Sequence, residues 1–143
     1  MDLAITSSTY YQQRDYDCGS IGNETTEEEY MNKLLSIFNE CSRVVKTTGA
    51  LVFNLGYKYL NGNLSLIPYK FALKALENNK VFLINQITRT KTNLTLRQEN
   101  RKLIQSTKPF FVFAKIKEYC FKLNEYLSRL DRKNKKQLLI FQK

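Results

Sequence analysis

The chain alternates short apolar runs with longer segments in which apolar residues recur every three or four positions. The first run, Leu3-Ala4-Ile5, is followed by small polar residues, and further runs lie at 50–55, 81–88 and 110–113. Short apolar runs that end in polar or turn-forming residues predict buried strands. The sequence therefore predicts four strands, the first of which spans residues 2–7.

Two helices are predicted between these strands. Thr26-x-x-Glu29 forms a capping box ahead of apolar residues at helical spacing, and this helix is predicted to end at about Thr47. Pro68 fits the first turn of a second helix, which is predicted to end near Asn78. Alternating strands and helices predict an α/β fold with a mostly parallel sheet, to which the last strands add an antiparallel strand at one edge.

The remaining segments show no sustained period. Residues 10–24 and 89–108 are predicted loops, 61–63 a turn, and 118–122 a short extended segment. Residues 123–136 have weak helical periodicity and many charges. The sequence thus predicts one α/β domain over residues 1–126 and a basic helical or disordered tail at 127–143.

The charge of the chain is concentrated in its last two-fifths. The 143 residues carry a formal net charge of +10, but residues 1–86 hold 8 basic and 9 acidic side chains, against 15 and 4 in residues 87–143. Such asymmetry predicts a neutral scaffold joined to a surface that binds polyanions, most often nucleic acid. A solvated Lys-rich surface is the alternative.

Several classes of site are excluded by composition. Without histidine there is no imidazole base, no Ser-His-Asp triad and no His-ligated metal. The three cysteines are far apart and form no C-x-x-C pair, which argues against a disulfide framework or a zinc ribbon and favours a reducing compartment. No apolar run approaches the ~20 residues of a membrane span. We therefore expect a cytoplasmic protein with no metal site and no membrane partner.

The strand and loop at residues 2–11 resemble a motif of the DNA amino-methyltransferases, in which a strand ends in Asp/Asn/Ser-Pro-Pro-Tyr/Phe. Here that motif is Ser7-Ser8-Thr9-Tyr10. Successive blocks of that family are similar, in the same order, to residues 21–30, 43–49, 52–56, 67–68, 89–98, 110–115 and 119–121. The resemblance covers about residues 2–126 and implies a partial Rossmann-like methyltransferase sheet.

The resemblance implies a chemistry that needs no strong base. The lone pair of an exocyclic amino nitrogen is delocalised into the base, so acceptors must hold its two N–H groups while a methyl group approaches. Ser7 and a neighbouring backbone carbonyl could be these acceptors, and Tyr10 could stack on a flipped base. Serine in the first position favours cytosine N4 over adenine N6. Tyr11 and Tyr16 either pack on the base or cover the core.

Two departures from the family pattern bear on activity. Ser8 and Thr9 replace the paired prolines, which predicts a less rigid turn. The family binds S-adenosylmethionine through a Phe-x-Gly-x-Gly-like loop, but none of the five glycines forms G-x-G, so the cofactor-binding residues are unknown. The resemblance is to the N-terminal catalytic portion, whose first strand is expected at a sheet edge. We expect either a second subunit that supplies the glycine loop or a truncated, inactive remnant.

The predicted loop at 89–108 is the candidate DNA-contacting segment. Its cations can meet phosphates, and its amides can read base edges. The candidate residues are Lys91, Asn93, Arg97, Gln98, Arg101 and Lys102. Lys133, Lys135 and Lys136 are predicted to form a non-specific basic tail.

Together these features predict a site-specific DNA methyltransferase of a restriction-modification system. It would transfer a methyl group from S-adenosylmethionine to an exocyclic amino group of a flipped base in double-stranded DNA, with cytosine N4 favoured. The alternative is a non-catalytic, nucleic-acid-binding pseudo-methyltransferase subunit. A small-molecule methyltransferase fits poorly with the basic second part of the chain.

Overall fold

A computed structural model describes residues 1–13, 20–78, 80–91 and 106–122. The predicted α/β class is confirmed. The elements are β1 (Leu3–Ser7), α1 (Glu27–Val44), β2 (Ala50–Asn54), β3 (Lys58–Leu60), β4 (Asn63–Ser65), α2 (Ile67–Asn78), β5 (Phe82–Thr90) and β6 (Thr107–Ala114). The predicted tail at 127–143 and the weak helix at 123–136 lie outside the described residues. None of the helices in the described ranges is long and apolar enough to cross a membrane.

The main sheet has the strand order β1-β2-β6-β5. β1 and β2 are parallel, whereas β6 is antiparallel to both of its neighbours, so β1, β2 and β5 share one direction. The expectation that β1 lies at an edge is confirmed. The prediction that the antiparallel strand is added at an edge was wrong, because β6 lies inside the sheet. Its alternate residues Phe111 and Phe113 are fully buried, whereas most side chains of β5 are exposed, so β5 suits the edge.

Both helices pack on the same face of this sheet, here called the covered face. Strand register places Phe53 of β2 and Phe113 of β6 on that face. The Phe38 ring of α1 lies 5.2 Å from the Phe53 ring and 5.0 Å from that of Phe113, and the Phe71 ring of α2 lies 5.4 Å from the Phe53 ring. The alternate residues of the strands form the opposite face, here called the open face, where Ile5 is 65% exposed.

Most element boundaries lie near those predicted, with two corrections. α1 begins at the predicted capping box, but it ends at Val44 and not near Thr47, because Val45 turns to extended backbone and buries its side chain. The predicted turn at 61–63 is the tip of the β3–β4 hairpin, where Asn61 and Gly62 both take the positive φ that such tips need. The predicted extended segment at 118–122 forms no strand.

The predicted loop at 89–108 is shorter than expected. Arg89 and Lys108 pair with each other in the β5–β6 ladder, and so do Thr90 and Thr107. Beyond the ladder, the Lys91 N–H donates to the Ser106 carbonyl oxygen at 2.7 Å. The two ends of the segment at 92–105 are therefore held together by backbone hydrogen bonds.

Candidate functional site

The candidate site lies where β1 and β2 end. Parallel strands bring their carboxyl ends to one edge of a sheet, and here Ser7 of β1 lies opposite Asn54 of β2. The Asn54 Nδ2 atom donates to Ser7 Oγ at 3.1 Å and to the Tyr10 hydroxyl at 3.4 Å. The structure therefore brings the two predicted residues, Ser7 and Tyr10, together through a third side chain that is only 3% exposed.

A lysine from β6 completes this group. Because β6 is antiparallel to β2, the first residues of β6 lie at the same end of the sheet as the last residues of β1 and β2. The Lys108 Nζ atom lies 2.5 Å from the Tyr10 hydroxyl oxygen and 4.0 Å from the centroid of the Tyr10 ring. We call Ser7, Tyr10, Asn54 and Lys108 the Tyr10 cluster.

The surroundings of the Tyr10 hydroxyl favour its ionised form. Burial by itself raises the pKa of Tyr10, but hydrogen bonds with Lys108, Ser7 and Asn54 and the positive charge of Lys108 outweigh burial and lower the pKa below its usual value. The Tyr10 oxygen is thus the point on which the polar groups of the cluster converge.

The Tyr10 ring packs directly against the backbone of Gly56. A Cβ atom added at Gly56 would lie 2.8 Å from Tyr10 Cδ1, so only glycine allows the ring to approach so closely. The Thr9 carbonyl oxygen accepts a hydrogen bond from the Tyr30 hydroxyl at 2.8 Å. Thr9 stands where the related motif has a proline, so the Tyr30 hydrogen bond restrains a turn that lacks the rigidity of proline.

The backbone two residues after Tyr10 is held in a strained conformation at Gln12. Gln12 has a φ of 45°, a conformation that non-glycine residues rarely adopt. Its backbone N–H donates to the Gly22 carbonyl oxygen at 2.6 Å, its side-chain amide donates to the Glu24 carbonyl oxygen at 2.8 Å, and its amide oxygen accepts from Lys58 at 2.7 Å. These three hydrogen bonds hold the start of the loop in one position beside the cluster.

A buried carboxylate supports the other end of this loop. The side chain of Glu24 is 2% exposed, accepts the Gly22 N–H at 2.8 Å and forms an ion pair with Lys33 at 3.1 Å. Burial by itself raises the pKa of Glu24, but the backbone hydrogen bonds of Glu24 and Gly22 and the contact with Lys33 lower it below its usual value. Glu24 is therefore ionised at neutral pH.

The cluster can hold an N–H donor but has no strong base. The Ser7 hydroxyl oxygen accepts one hydrogen bond from Asn54 and keeps a second lone pair for another donor. Asn54 Oδ1 and Ser8 Oγ are buried and have no hydrogen-bond partner among the described residues. Within the same ranges no three His, Cys, Asp or Glu side chains form a metal-binding group.

Three of the described glycines do not fit a cofactor cradle. Gly49 is wedged between Val45 and the Asp2 carbonyl, Gly56 lies under the Tyr10 ring, and Gly62 lies at a hairpin tip. None of these three leaves backbone open at a turn from strand to helix, which is where a nucleotide cofactor is held. Gly22 does lie between β1 and α1, and its N–H donates to the Glu24 carboxylate.

Some of the predicted site residues lie in the described ranges and others lie outside them. Lys91 directly follows β5, whereas the other five predicted DNA-contacting residues, together with Tyr16 and the three tail lysines, lie outside the described residues. Tyr11 is 5% exposed and its ring lies 5.3 Å from that of Tyr30, so of its two predicted roles the structure shows core packing. Sequence reasoning missed Asn54 and Lys108. An amide at the end of the apolar strand Ala50–Asn54 was the available signal for Asn54.

Comparisons with known proteins agree with one another. A family model described as DNA methylase (N6_N4_Mtase) matches residues 1–142. The chain is 33% identical over 123 residues to the type II methyltransferase M.MwoI of Methanothermobacter wolfeii, covering 82% of this chain and 18% of that protein. It is 28% identical over 143 residues to the type II methyltransferase M.SfiI of Streptomyces fimbriatus, covering 87% and 34%.

The fold is also found among solved structures. The PvuII DNA methyltransferase (cytosine-N4-specific) superposes with a TM-score of 0.74 at 16% identity, covering 92% of this chain and 48% of that one. At this identity the likeness shows a common fold. The chain spans less than half the length of each of these three proteins.

Proposed function

Because the chain belongs to the N6/N4 DNA methylase family, we propose that it supplies the base-binding side of a cytosine-N4 DNA methyltransferase in a restriction-modification system. Members of this family transfer a methyl group from S-adenosylmethionine to DNA. The observation that carries the proposal is the Ser7–Asn54–Tyr10 arrangement at the carboxyl ends of two parallel strands.

In this proposal the cluster holds the amino group of a flipped base. Ser7 Oγ accepts one N–H, and the Ser8 carbonyl oxygen accepts the other, since the neighbouring Thr9 carbonyl oxygen is already bonded to Tyr30. Two acceptors localise the nitrogen lone pair and so ready it for a methyl group, without a general base. Tyr10 stacks on the base, because bases of any sequence present a π face to an aromatic ring.

The choice of cytosine over adenine rests on Ser7. In the related motif serine accompanies cytosine enzymes more often and aspartate accompanies adenine enzymes. The type II names of the relatives, and the cytosine-N4 title of the PvuII enzyme, agree with this choice and with a role in restriction and modification.

We propose that the glycine loop that binds S-adenosylmethionine is not formed by these 143 residues. β1 is an edge strand of the sheet that the described residues form, and it carries the exposed apolar side chains of Leu3 and Ile5, which suits the addition of a further strand. That strand would come from a second subunit or from further residues of the same protein, and it would bring the glycine loop. Titration of the 143-residue chain with S-adenosylmethionine tests this arrangement. We expect no micromolar binding, and binding at that level without a partner would overturn it.

The methylation itself is tested in cells that carry the gene. Replacing codon 7 to give Ser7→Ala should remove N4-methyldeoxycytidine from hydrolysed genomic DNA, measured by mass spectrometry. Ser36→Ala, an exposed serine on α1, is the matched control and should leave the modified base unchanged. Loss of N6-methyladenine instead would make this an adenine enzyme, and no loss of either base would remove the catalytic proposal.

Two observations favour the alternative of a non-catalytic DNA-binding subunit. Gly49, Gly56 and Gly62 offer no cofactor cradle, and Ser8 and Thr9 replace the paired prolines. Such a subunit would bind DNA through the candidate segment but would leave no methylated base.

DNA binding is tested separately from chemistry. Arg97→Ala with Arg101→Ala should weaken binding to duplex DNA. The slope of log K against log salt concentration should become shallower by about two, because each lost phosphate contact removes about one from it. Lys133→Ala with Lys135→Ala removes the same charge from the predicted tail. An equal loss in both double variants would show a general charge effect and no special role for the candidate segment.

A further inference from the structure

We propose that Lys108 is a positioning residue for the target base. Its ammonium group, together with the Asn54 amide, fixes the Tyr10 ring and joins it to the hairpin that carries the candidate DNA-contacting segment. This inference rests on the proposed function, because it gives Lys108 a part in holding the base that the proposed enzyme methylates.

The Lys108 ammonium restrains Tyr10 in two ways at once. Its hydrogen bond to the hydroxyl oxygen fixes the far end of the ring, and its position 4.0 Å from the ring centroid adds a cation–π attraction to the ring itself. In the described part of the chain no carboxylate lies within ion-pair distance of Lys108. Among the described residues, the charge of Lys108 is therefore directed at Tyr10.

Asn54 restrains the same oxygen from the other strand. Its amide nitrogen lies 3.4 Å from the Tyr10 hydroxyl and 3.1 Å from Ser7 Oγ, so the ring and the acceptor are tied to one side chain. Gly56 limits the position of the ring from the Cδ1 edge. A stacking partner held at its hydroxyl and at its ring edge loses little further freedom when a base arrives.

The contact between Lys108 and Tyr10 joins two distant parts of the chain. Lys108 pairs with Arg89 near the end of the β5–β6 ladder that adjoins segment 92–105. Just beyond this end, the Lys91 N–H donates to the Ser106 carbonyl oxygen. The side chain of Lys108 reaches Tyr10, which lies 98 residues earlier in the chain. The Lys108 side chain thus links the strand end beside segment 92–105 to Tyr10, the residue proposed to stack on the base.

Lys117 provides a matched control. Its ammonium also lies over an aromatic ring, 5.9 Å from the centroid of Phe82. Phe82 pairs with Ala114 at the end of the β5–β6 ladder far from Lys108. Removing Lys117 therefore removes the same charge and a similar ring contact away from the cluster.

The experiment uses the 143-residue chain with ¹³C-labelled tyrosine, whose Tyr10 signal is assigned with Tyr10→Phe. Wild type, Lys108→Met, Lys108→Arg and Lys117→Met are titrated with pH and with deoxycytidine, and Lys108→Gln repeats the test if methionine disturbs the fold. We expect Lys108→Met to raise the pKa of Tyr10 and to weaken deoxycytidine binding about tenfold, the loss typical of a charge-assisted hydrogen bond. Lys108→Arg should restore both values, and Lys117→Met should match wild type.

The outcomes separate this inference from the proposed function. If Lys108→Met leaves the pKa of Tyr10 and the deoxycytidine affinity at their wild-type values, the positioning role is overturned. If only affinity is lost while the pKa of Tyr10 is unchanged, Lys108 acts directly on the nucleoside and the inference also fails. If wild type binds neither deoxycytidine nor deoxyadenosine, the proposed function fails, whereas the Tyr10 titration still reports whether Lys108 holds the ring.

Discussion

The two faces of the main sheet use the same strands for different purposes. On the covered face, Phe53 and Phe113 are fully buried beneath Phe38 and Phe71 of the two helices. On the open face, Ile5 remains 65% exposed, and this face carries Ser7, Asn54 and Lys108 where β1 and β2 end. Stability therefore comes chiefly from one face, which leaves the other free to present polar groups. Two substitutions test this division, one on each face, and a third tests the support of the loop beside the cluster; they follow in order of expected effect.

The largest effect is expected for Phe38→Ala on the covered face. Phe38 is fully buried against three aromatic rings, so its removal leaves a cavity that costs about 3–5 kcal/mol of unfolding free energy. Urea denaturation followed by circular dichroism measures the change. Ile37→Ala, on the next residue of α1 and 37% exposed, should cost less than about 1.5 kcal/mol. Equal losses would mean that the covered face does not dominate stability.

An intermediate effect, dependent on pH, is expected for Glu24→Gln. The pKa of Glu24 is lowered in the folded chain, so its ionised form stabilises the fold above the pKa of an unfolded glutamate, and this contribution is lost as the pH falls through the folded pKa. At neutral pH the variant should lose about 1–3 kcal/mol, because the Gly22 N–H and Lys33 lose a charged acceptor.

The pH dependence provides the check on Glu24. The difference between wild type and Glu24→Gln should shrink as the pH is lowered below about 4, where glutamates become protonated. Glu28→Gln, at an exposed position in the first turn of α1, should change stability by less than about 1 kcal/mol at any pH. A pH-independent loss in Glu24→Gln would assign the effect to packing and not to the carboxylate.

The smallest effect is expected for Ile5→Thr on the open face. Threonine keeps the β-branched shape that suits a strand, and an exposed side chain contributes little, so we expect a change within about 0.5 kcal/mol. Leu51→Thr, one strand away on the covered face and fully buried, should by contrast cost several kcal/mol, on the order of 2–4. A large loss in Ile5→Thr would show that the open face is covered in solution, by a second copy or by other residues of the chain.

The elements could be predicted because each has a local cause. The capping box at Thr26 and Glu29 sets the start of α1, Pro68 marks the first turn of α2, and apolar runs mark the longer strands. The strands of the β3–β4 hairpin were missed because three residues are too few to show a period. The interior position of β6 could not be predicted either, because strand order depends on contacts between distant residues.

The candidate site was predictable in part for the same reason. Ser7 and Tyr10 belong to one short motif and could be singled out together. Asn54 and Lys108 join them only because a parallel and an antiparallel pairing bring three strand ends to one edge, 44 and 98 residues from Tyr10 along the chain. Neither belongs to the motif, and pairings between distant strands are not encoded in local pattern. Single-sequence reasoning thus finds the motif but not its supporting residues.

The hydrogen bond between Lys91 and Ser106 bears on how freely segment 92–105 can change in length and sequence. It closes the ends of segment 92–105 at a fixed distance, at the top of an antiparallel ladder. For a closed loop, each doubling of length adds only about 0.6 kcal/mol of closure cost, so insertions and exchanges within it are tolerated while the ladder below is unchanged. Segment 92–105 can therefore be treated as an exchangeable cassette. If this segment contacts DNA as proposed, grafting the corresponding segment of a relative between Lys91 and Ser106 should transfer sequence preference and leave Lys108 and Tyr10 in place.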